Sequence, residues 1–175
     1  MRKALITGSS GFIGFHICKT LLEKGFSVVG VDNMSNYYDV KLKEARLSML
    51  QEHANFKILI GNIETPDLLS QIFEAERPEV VVHLAAQAGV RHSIENPRSY
   101  LDSNLVGTFE VLEASRSFPP NHLLIASTSS AYGANTDMPF TEKMVADHQL
   151  SFYAATKKAT ENMGHSYSHL FRIPI

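Results

Sequence analysis
The sequence predicts an α/β fold in which one parallel sheet is wound with helices on both faces. Three observations predict it: short apolar runs alternate with segments of helical spacing along the whole chain, the first run stops at a cluster of glycines, and the second ends on an acid. At 175 residues, 44% apolar and 19% charged, the chain can bury a core of its own, so residues 1–175 are read as a single domain.

Lys3 to Thr7 reads as a strand that halts at Gly8-Ser9-Ser10-Gly11-Phe12-Ile13-Gly14, after which Ile13, Ile17 and Leu21 recur at helical spacing until Gly25. Glycines at 8, 11 and 14 let the backbone turn tightly and approach a pyrophosphate, whose charge is favoured by the free amides and dipole of a helix start. The whole turn, Phe12 and Ile13 included, is the expected cradle of a dinucleotide. A second strand, Phe26 to Val31, ends at Asp32 with Asn33 beside it. An acid there accepts hydrogen bonds from an adenosine ribose and repels a 2′-phosphate, which selects NAD over NADP. Asp32 acting as a cap for the next segment is the competing reading, but it leaves the strand, glycines and helix before it unexplained.

From Tyr38 to His53 the spacing is helical, with Lys41, Lys43, Glu44 and Arg46 as the wet side. Phe56 to Ile60 is a third strand, Pro66 opens a helix through Glu76, and Val80-Val81-Val82 with Leu84 is a fully buried fourth strand. Ala85-Ala86-Gln87-Ala88-Gly89 follows as a small-residue loop at a strand's carboxyl end, where ligands lie in open parallel sheets. Pro97 begins a long helix to about Ser117, Pro119-Pro120 break it, and His122 to Ser127 is a fifth strand that carries the Thr128 hydroxyl to the same sheet edge. Gly133 to Asp147 is a loop, and Ser151 to about Phe171 is the last helix.

That last helix carries the chemistry. Tyr153 and Lys157 are four residues apart, so phenol and ammonium rise from one face. A free phenol has a pKa of about 10; a nearby Lys⁺ and a cationic nicotinamide both favour the phenolate, and lowering it by about three units takes about 4 kcal/mol of electrostatic work. The product is a general base for a hydroxyl proton.

Other classes of function are set aside by composition. A net charge of −2 without a basic block gives no nucleic-acid footprint. The single cysteine, Cys18, lies in a predicted helix and reads as a small buried hydrophobe. His165 and His169 are four apart with no third ligand, so no metal is predicted. Without a signal-like apolar region or a membrane-length run, the expectation is a soluble, cytoplasmic protein that does not meet membranes.

The glycine motif, His83-Leu84-Ala85-Ala86, Asn104, Thr128, and Tyr153 with Lys157 resemble the extended short-chain dehydrogenase/reductases, which have a Rossmann-like doubly wound sheet. Within them the chain is most similar to the UDP-glucuronate 4-epimerases, through Asp32-Asn33-Met34 with Tyr37-Tyr38-Asp39, Ala85 to Arg91, and Tyr153-Ala154-Ala155-Thr156-Lys157-Lys158. The resemblance implies a tightly held NAD and transient oxidation at carbon 4 of a UDP-hexuronate, for surface polysaccharide precursors. It assigns catalysis to Thr128, Tyr153 and Lys157, with Thr128 twenty-five residues before the tyrosine as in the family. Cofactor contacts are implied for Gly8, Gly11, Phe12, Ile13, Gly14, Asp32, Asn33, Asn62, Ile63, Leu84, Ala85, Ala86, Gln87, Asn104, Tyr153 and Lys157, and substrate contacts for Gln87, Arg91, Thr128, Ser129 and Ser130. Asn62 stands where the family usually has an aspartate facing the adenine amine; its amide oxygen can still accept. Related decarboxylases and dehydratases carry a carboxylate beside the threonine where this chain has Ser129 and Ser130, so epimerisation without elimination fits better. Those serines either meet the sugar carboxylate or satisfy local backbone, and Arg91 either meets the ligand or forms a surface ion pair.

Family members continue past the position of Ile175 with further strands and a substrate subdomain, so the resemblance implies a cofactor half with little turnover and an open edge on the fifth strand. It also implies pairing of two copies through the helices of residues 98–117 and 151–171. A non-catalytic NAD-binding module and an epimerase of a neutral UDP-hexose remain alternatives.

Overall fold
A computed structural model describes residues 1–175. Five parallel strands, β1 (Lys3–Thr7), β2 (Ser27–Asp32), β3 (Phe56–Ile60), β4 (Val80–His83) and β5 (His122–Ile125), form one sheet in the order β3-β2-β1-β4-β5. The helices are α1 (Phe12–Glu23), α2 (Val40–Gln51), α3 (Leu68–Glu76), the short α4 (His92–Glu95) and α5 (Pro97–Tyr100), α6 (Gly107–Ser117) and α7 (Phe152–Phe171). Right-handed crossovers assign the faces. The chain steps one way from β1 to β3, which puts α1 and α2 on one face, then returns across β1 and steps the other way, which puts α3, α6 and α7 on the opposite face.

Strand residues alternate between the two cores, as a period of two requires. Ala4, Ile6, Val28 and Val82 pack with Phe15, Cys18, Leu22 and Leu50 on the first face. Leu5, Val29, Val31, Val81 and Leu123 pack with Phe73, Val111 and Leu112 on the second. Thr7 pairs in register with both Val31 and His83, so β1 and β4 end level while β2 runs one residue further to Asp32, and the strand order reverses around β1. A crevice therefore opens at the carboxyl ends, the switch point of a doubly wound sheet.

Several expectations are corrected. On α1 the buried residues are Gly14, Phe15, Cys18 and Leu22, whereas Ile13 is 59% exposed. A Cβ on residue 14 would come within 2.0 Å of the Gly8 carbonyl oxygen, so the turn forces the face of Gly14, Cys18 and Leu22 against the sheet. Lys43 is buried, not on the wet side of α2, which Asp39 caps by accepting from the Lys41 amide. Pro66 lies in a turn ahead of α3 rather than opening it. The long helix from Pro97 is a composite, with a wide π turn over Leu101–Val106 between α5 and α6. β5 stops at Ile125, and Ser129–Tyr132 form a 3-10 turn at the start of the loop. Nor is the outer edge of β5 bare: the Leu123 amide donates to the Pro174 carbonyl at 2.8 Å, and Ile173 beside it is buried. No helix is long and apolar enough to cross a membrane.

Candidate active site
A cavity of about 460 Å³ fills the crevice, walled by the Gly8–Gly14 turn, the end of β2 and the Leu84–Ala88 loop. Gly8 has φ of 72°, and a Cβ there would sit 3.0 Å from the Ala85 amide nitrogen, so turn and loop touch only because residue 8 lacks a side chain. Gly11 is the N-cap of α1 and offers no side-chain acceptor, which leaves the first amides of the helix without a capping group. Phe12 and Ile13, 67% and 59% exposed, form the apolar lip above them.

Asp32 is buried beneath this turn. Its carboxylate accepts from the Ser10 amide at 3.0 Å, from the Met34 amide at 2.9 Å and from the Lys43 ammonium at 3.2 Å. Lys43 also reaches Ser35 at 3.4 Å. Sequence reasoning missed Lys43, because nothing in the helix distinguishes it from its neighbours Lys41 and Arg46. Arg46, one turn further along α2, stacks its guanidinium over the Phe12 ring at 5.7 Å and lines the same cavity, as do Tyr37 and Tyr38. Of the other expected cofactor contacts, Asn33, Ile63, Leu84, Ala85, Ala86 and Gln87 line the cavity. Asn62 does not; its side-chain oxygen accepts from the Asn33 amide at 3.0 Å.

The Leu84–Gln87 loop is held from below by side chains. Thr7 Oγ1 accepts from the amides of both Leu84 and Ala85 at 3.1 Å, which uses its two lone pairs. Its hydrogen must then go to His83 Nδ1, 2.8 Å away, so the imidazole is neutral, carries its proton on Nε2 and donates it to Thr108 Oγ1 at 3.0 Å. Full burial, with the Lys157 charge adding to it, pushes His83 down to about 3. One step further along, Asn104, in the wide π turn, accepts from the Gln87 amide at 2.8 Å and donates to the Gln87 carbonyl at 3.1 Å. The same amide group donates to Thr156 Oγ1 at 3.0 Å, and Thr156 donates to the Tyr153 carbonyl at 2.8 Å. Asn104 thus ties the cavity loop to the first turn of α7, although it does not line the cavity itself.

Ser151 caps α7 by accepting from the Ala154 amide at 3.1 Å. Tyr153 and Lys157 follow, the first half-buried and the second buried. Neither lines the cavity; Tyr153 stands beside it, its ring edge-on to Tyr100 with centroids 5.9 Å apart. Burial pushes the Lys157 ammonium below its ordinary value, with the Glu161 carboxylate pulling the other way. Thr128 leaves β5 in an extended conformation and its hydroxyl oxygen accepts from the Ser130 amide at 3.3 Å, while Ser129 and Ser130 begin the 3-10 turn. Ser127 donates to Glu161, which also holds Lys158 at 2.9 Å. Arg91 is exposed at the end of the loop and outside the cavity. His165 and His169 are exposed on α7, and no group of three metal-type side chains occurs.

The family profile described as GDP-mannose 4,6 dehydratase matches residues 5–175. A probable UDP-glucuronate 4-epimerase of Rhizobium meliloti is 52% identical over 170 residues, covering 97% of this chain and 50% of that protein. Protein CapI of Staphylococcus aureus is 54% identical over 172 residues, with 98% and 51% coverage. The crystal structure of UDP-glucuronic acid 4-epimerase from Bacillus cereus, in complex with UDP-glucuronic acid and NAD, superposes with a TM-score of 0.91 at 34% identity, covering 99% of this chain and 54% of that one. The chain spans about half the length of the curated relatives it matches.

Proposed function
The chain belongs to the GDP-mannose 4,6 dehydratase family, and from that premise we propose that it is the cofactor-binding, acid–base half of an NAD-dependent UDP-hexuronate 4-epimerase, interconverting UDP-glucuronate and UDP-galacturonate. The observation that carries this reading is the juxtaposition at one sheet edge of an uncapped glycine turn, a buried ribose-type acid and a Tyr153–Lys157 helix tied to the same loop. Its relatives by sequence and fold bear UDP-glucuronate epimerase names, which supports the choice of sugar.

The residues present fit an adenine dinucleotide: the uncapped start of α1 suits a pyrophosphate, and Asp32, fixed by three donors, suits a ribose diol. Gly8, Gly11 and Gly14, with Asp32, Ile63 and Leu84 to Gln87, would hold it. Bound there, NAD would supply a reversible hydride acceptor for carbon 4 of the sugar. Tyr153 removes the proton from the carbon-4 hydroxyl oxygen and later restores it. Lys157, already costly to keep charged in its buried place, is best relieved by a phenolate on Tyr153, so ammonium and phenolate stabilise each other. Thr128 hydrogen-bonds the reacting oxygen, and Ser129 and Ser130 receive the hexuronate carboxylate without a nearby acid to drive loss of CO₂. Arg91, exposed outside the cavity, is free to meet the diphosphate or carboxylate of the UDP-sugar. Exposed Val106, just ahead of α6, and Phe109 on it, with Leu170 and Phe171 on α7, suit pairing of two copies through these helices.

Calorimetric titration with NAD, followed by chromatography of UDP-glucuronate incubated with the purified chain, tests the reading. Saturable NAD binding abolished by Asp32→Ala is expected, with slow conversion at most; no saturable binding refutes it. Because the chain spans half its relatives' length, a purely NAD-binding module is the second reading, and NAD binding without any product selects it. Product from UDP-glucose instead of UDP-glucuronate would select a neutral hexose.

A further inference from the structure
Tyr100 lies in none of the motifs from which the site was read, yet it is completely buried at the centre of the aromatic group beside the cavity. Its hydroxyl lies 2.7 Å from the Ala88 carbonyl oxygen and 2.6 Å from that of Gly89. One hydrogen is shared between two acceptors at the Ala88–Gly89 end of the loop, where the Gly89 carbonyl otherwise accepts only from the Ser93 amide at 3.3 Å and the Ala88 carbonyl only from the Gln87 side chain at 3.4 Å, so this phenol supplies the shortest hold on that end. Gly89 has φ of 104°, and a Cβ there would meet the Tyr37 hydroxyl at 2.5 Å, so the loop has little room to move in the other direction. On its opposite side the Tyr100 ring takes Tyr153 edge-on at 69°, the T-shaped arrangement that aromatic quadrupoles favour.

We propose that Tyr100 is a positioning residue: its hydroxyl fixes the Ala88–Gly89 end of the cofactor loop while its ring fixes the phenol of Tyr153, so that base and loop keep one relative placement. The inference rests on the reading of Tyr153 as the base. Burial above all, with Tyr37 nearby, raises the Tyr100 phenol above its ordinary value. It therefore keeps the hydrogen that the two carbonyls need. Two phenols in contact divide the work, one as a permanent donor and one as the exchangeable base.

The test uses the purified chain carrying 3-fluorotyrosine, with the Tyr153 resonance assigned by Tyr153→Phe, and amide exchange measured on the same chain without fluorine. Tyr100→Phe keeps the ring and removes the donor. Exchange of the amides from Ala88 to Val90 is expected to rise about three- to tenfold, with the Tyr153 resonance unmoved. Tyr100→Leu removes the ring, and the Tyr153 resonance is then expected to shift and sharpen toward that of the unfolded chain. An unchanged Tyr153 resonance in the leucine variant, or unchanged loop exchange in the phenylalanine variant, overturns the proposal. Should the leucine variant not fold, the phenylalanine variant still decides the loop arm, and a ring-to-ring Overhauser contact in the parent chain decides the other. Both readouts are independent of NAD, so a failure of cofactor binding would defeat the functional reading without being confused with this one.

Discussion
Acid should weaken this fold through one histidine, and His83→Gln should remove that weakness. His83 is locked neutral between Thr7 and Thr108, and burial pushes it from the ordinary 6.5 to about 3. Between those values the unfolded chain binds a proton that the folded chain refuses, so stability falls as pH falls, from about 6.5 down to about 3, and is unaffected above. At about 1.4 kcal/mol per pH unit the penalty reaches about 2 kcal/mol at pH 5 and approaches about 5 kcal/mol at pH 3. The glutamine variant should itself be less stable at pH 7, by about 1–3 kcal/mol, because Thr7 and Thr108 lose a fitted partner. Urea unfolding of both proteins at pH 7, 6 and 5 measures the comparison. The gap between them should shrink by about 2 kcal/mol at pH 5. Parallel stability curves would show that His83 titrates alike in both states and would refute the tautomer assigned from its partners.

Three further outcomes follow from the same geometry. Lys43→Met leaves Asp32 buried without its cation and should destabilise the chain by about 3 kcal/mol in urea unfolding. Adding Asp32→Asn to that variant should restore part of the loss, because the uncompensated charge is then gone. Glu76 joins β1, β3 and α3 by accepting from Lys3 at 2.8 Å and from Lys57, and these bonds hold its carboxyl below the ordinary range. Its contribution is therefore present above the usual carboxylate pKa and lost as pH falls through the lowered one; Glu76→Gln should cost about 1 kcal/mol at pH 7 and nothing in strong acid, again by urea titration. Cys18, fully buried and with its thiol pushed up to about 12, should resist a thiol-disulfide reagent in the native chain and react completely in denaturant.

Much of this architecture could be read from residue order because its causes are local. β1 and β3 begin and end where their apolar runs do, at Lys3–Thr7 and Phe56–Ile60, and the glycine spacing before α1 is a statement about backbone room that holds in any fold. Asp32 at the end of β2 was legible for the same reason, being a position defined by the element it bounds.

What only the tertiary structure decided is which of several equivalent surfaces is used. α1 carries apolar residues over a wide arc, and helical period alone cannot say which sit at its centre; contact of Gly14 with the Gly8 carbonyl puts Cys18 and Leu22 against the sheet, leaving Ile17 and Leu21 partly buried at their flank and Ile13 exposed. Lys43 looked like one more solvated lysine until the chain folded it onto an acid eleven residues away. Tyr100 and Asn104 reach the loop at residues 87–89 from a helix more than ten residues downstream, and Thr7 reaches Leu84 from seventy-seven residues away. Periodicity records how a segment can present itself, whereas burial and hydrogen-bond partners depend on what arrives opposite it, and that is set by the packing of the whole sheet.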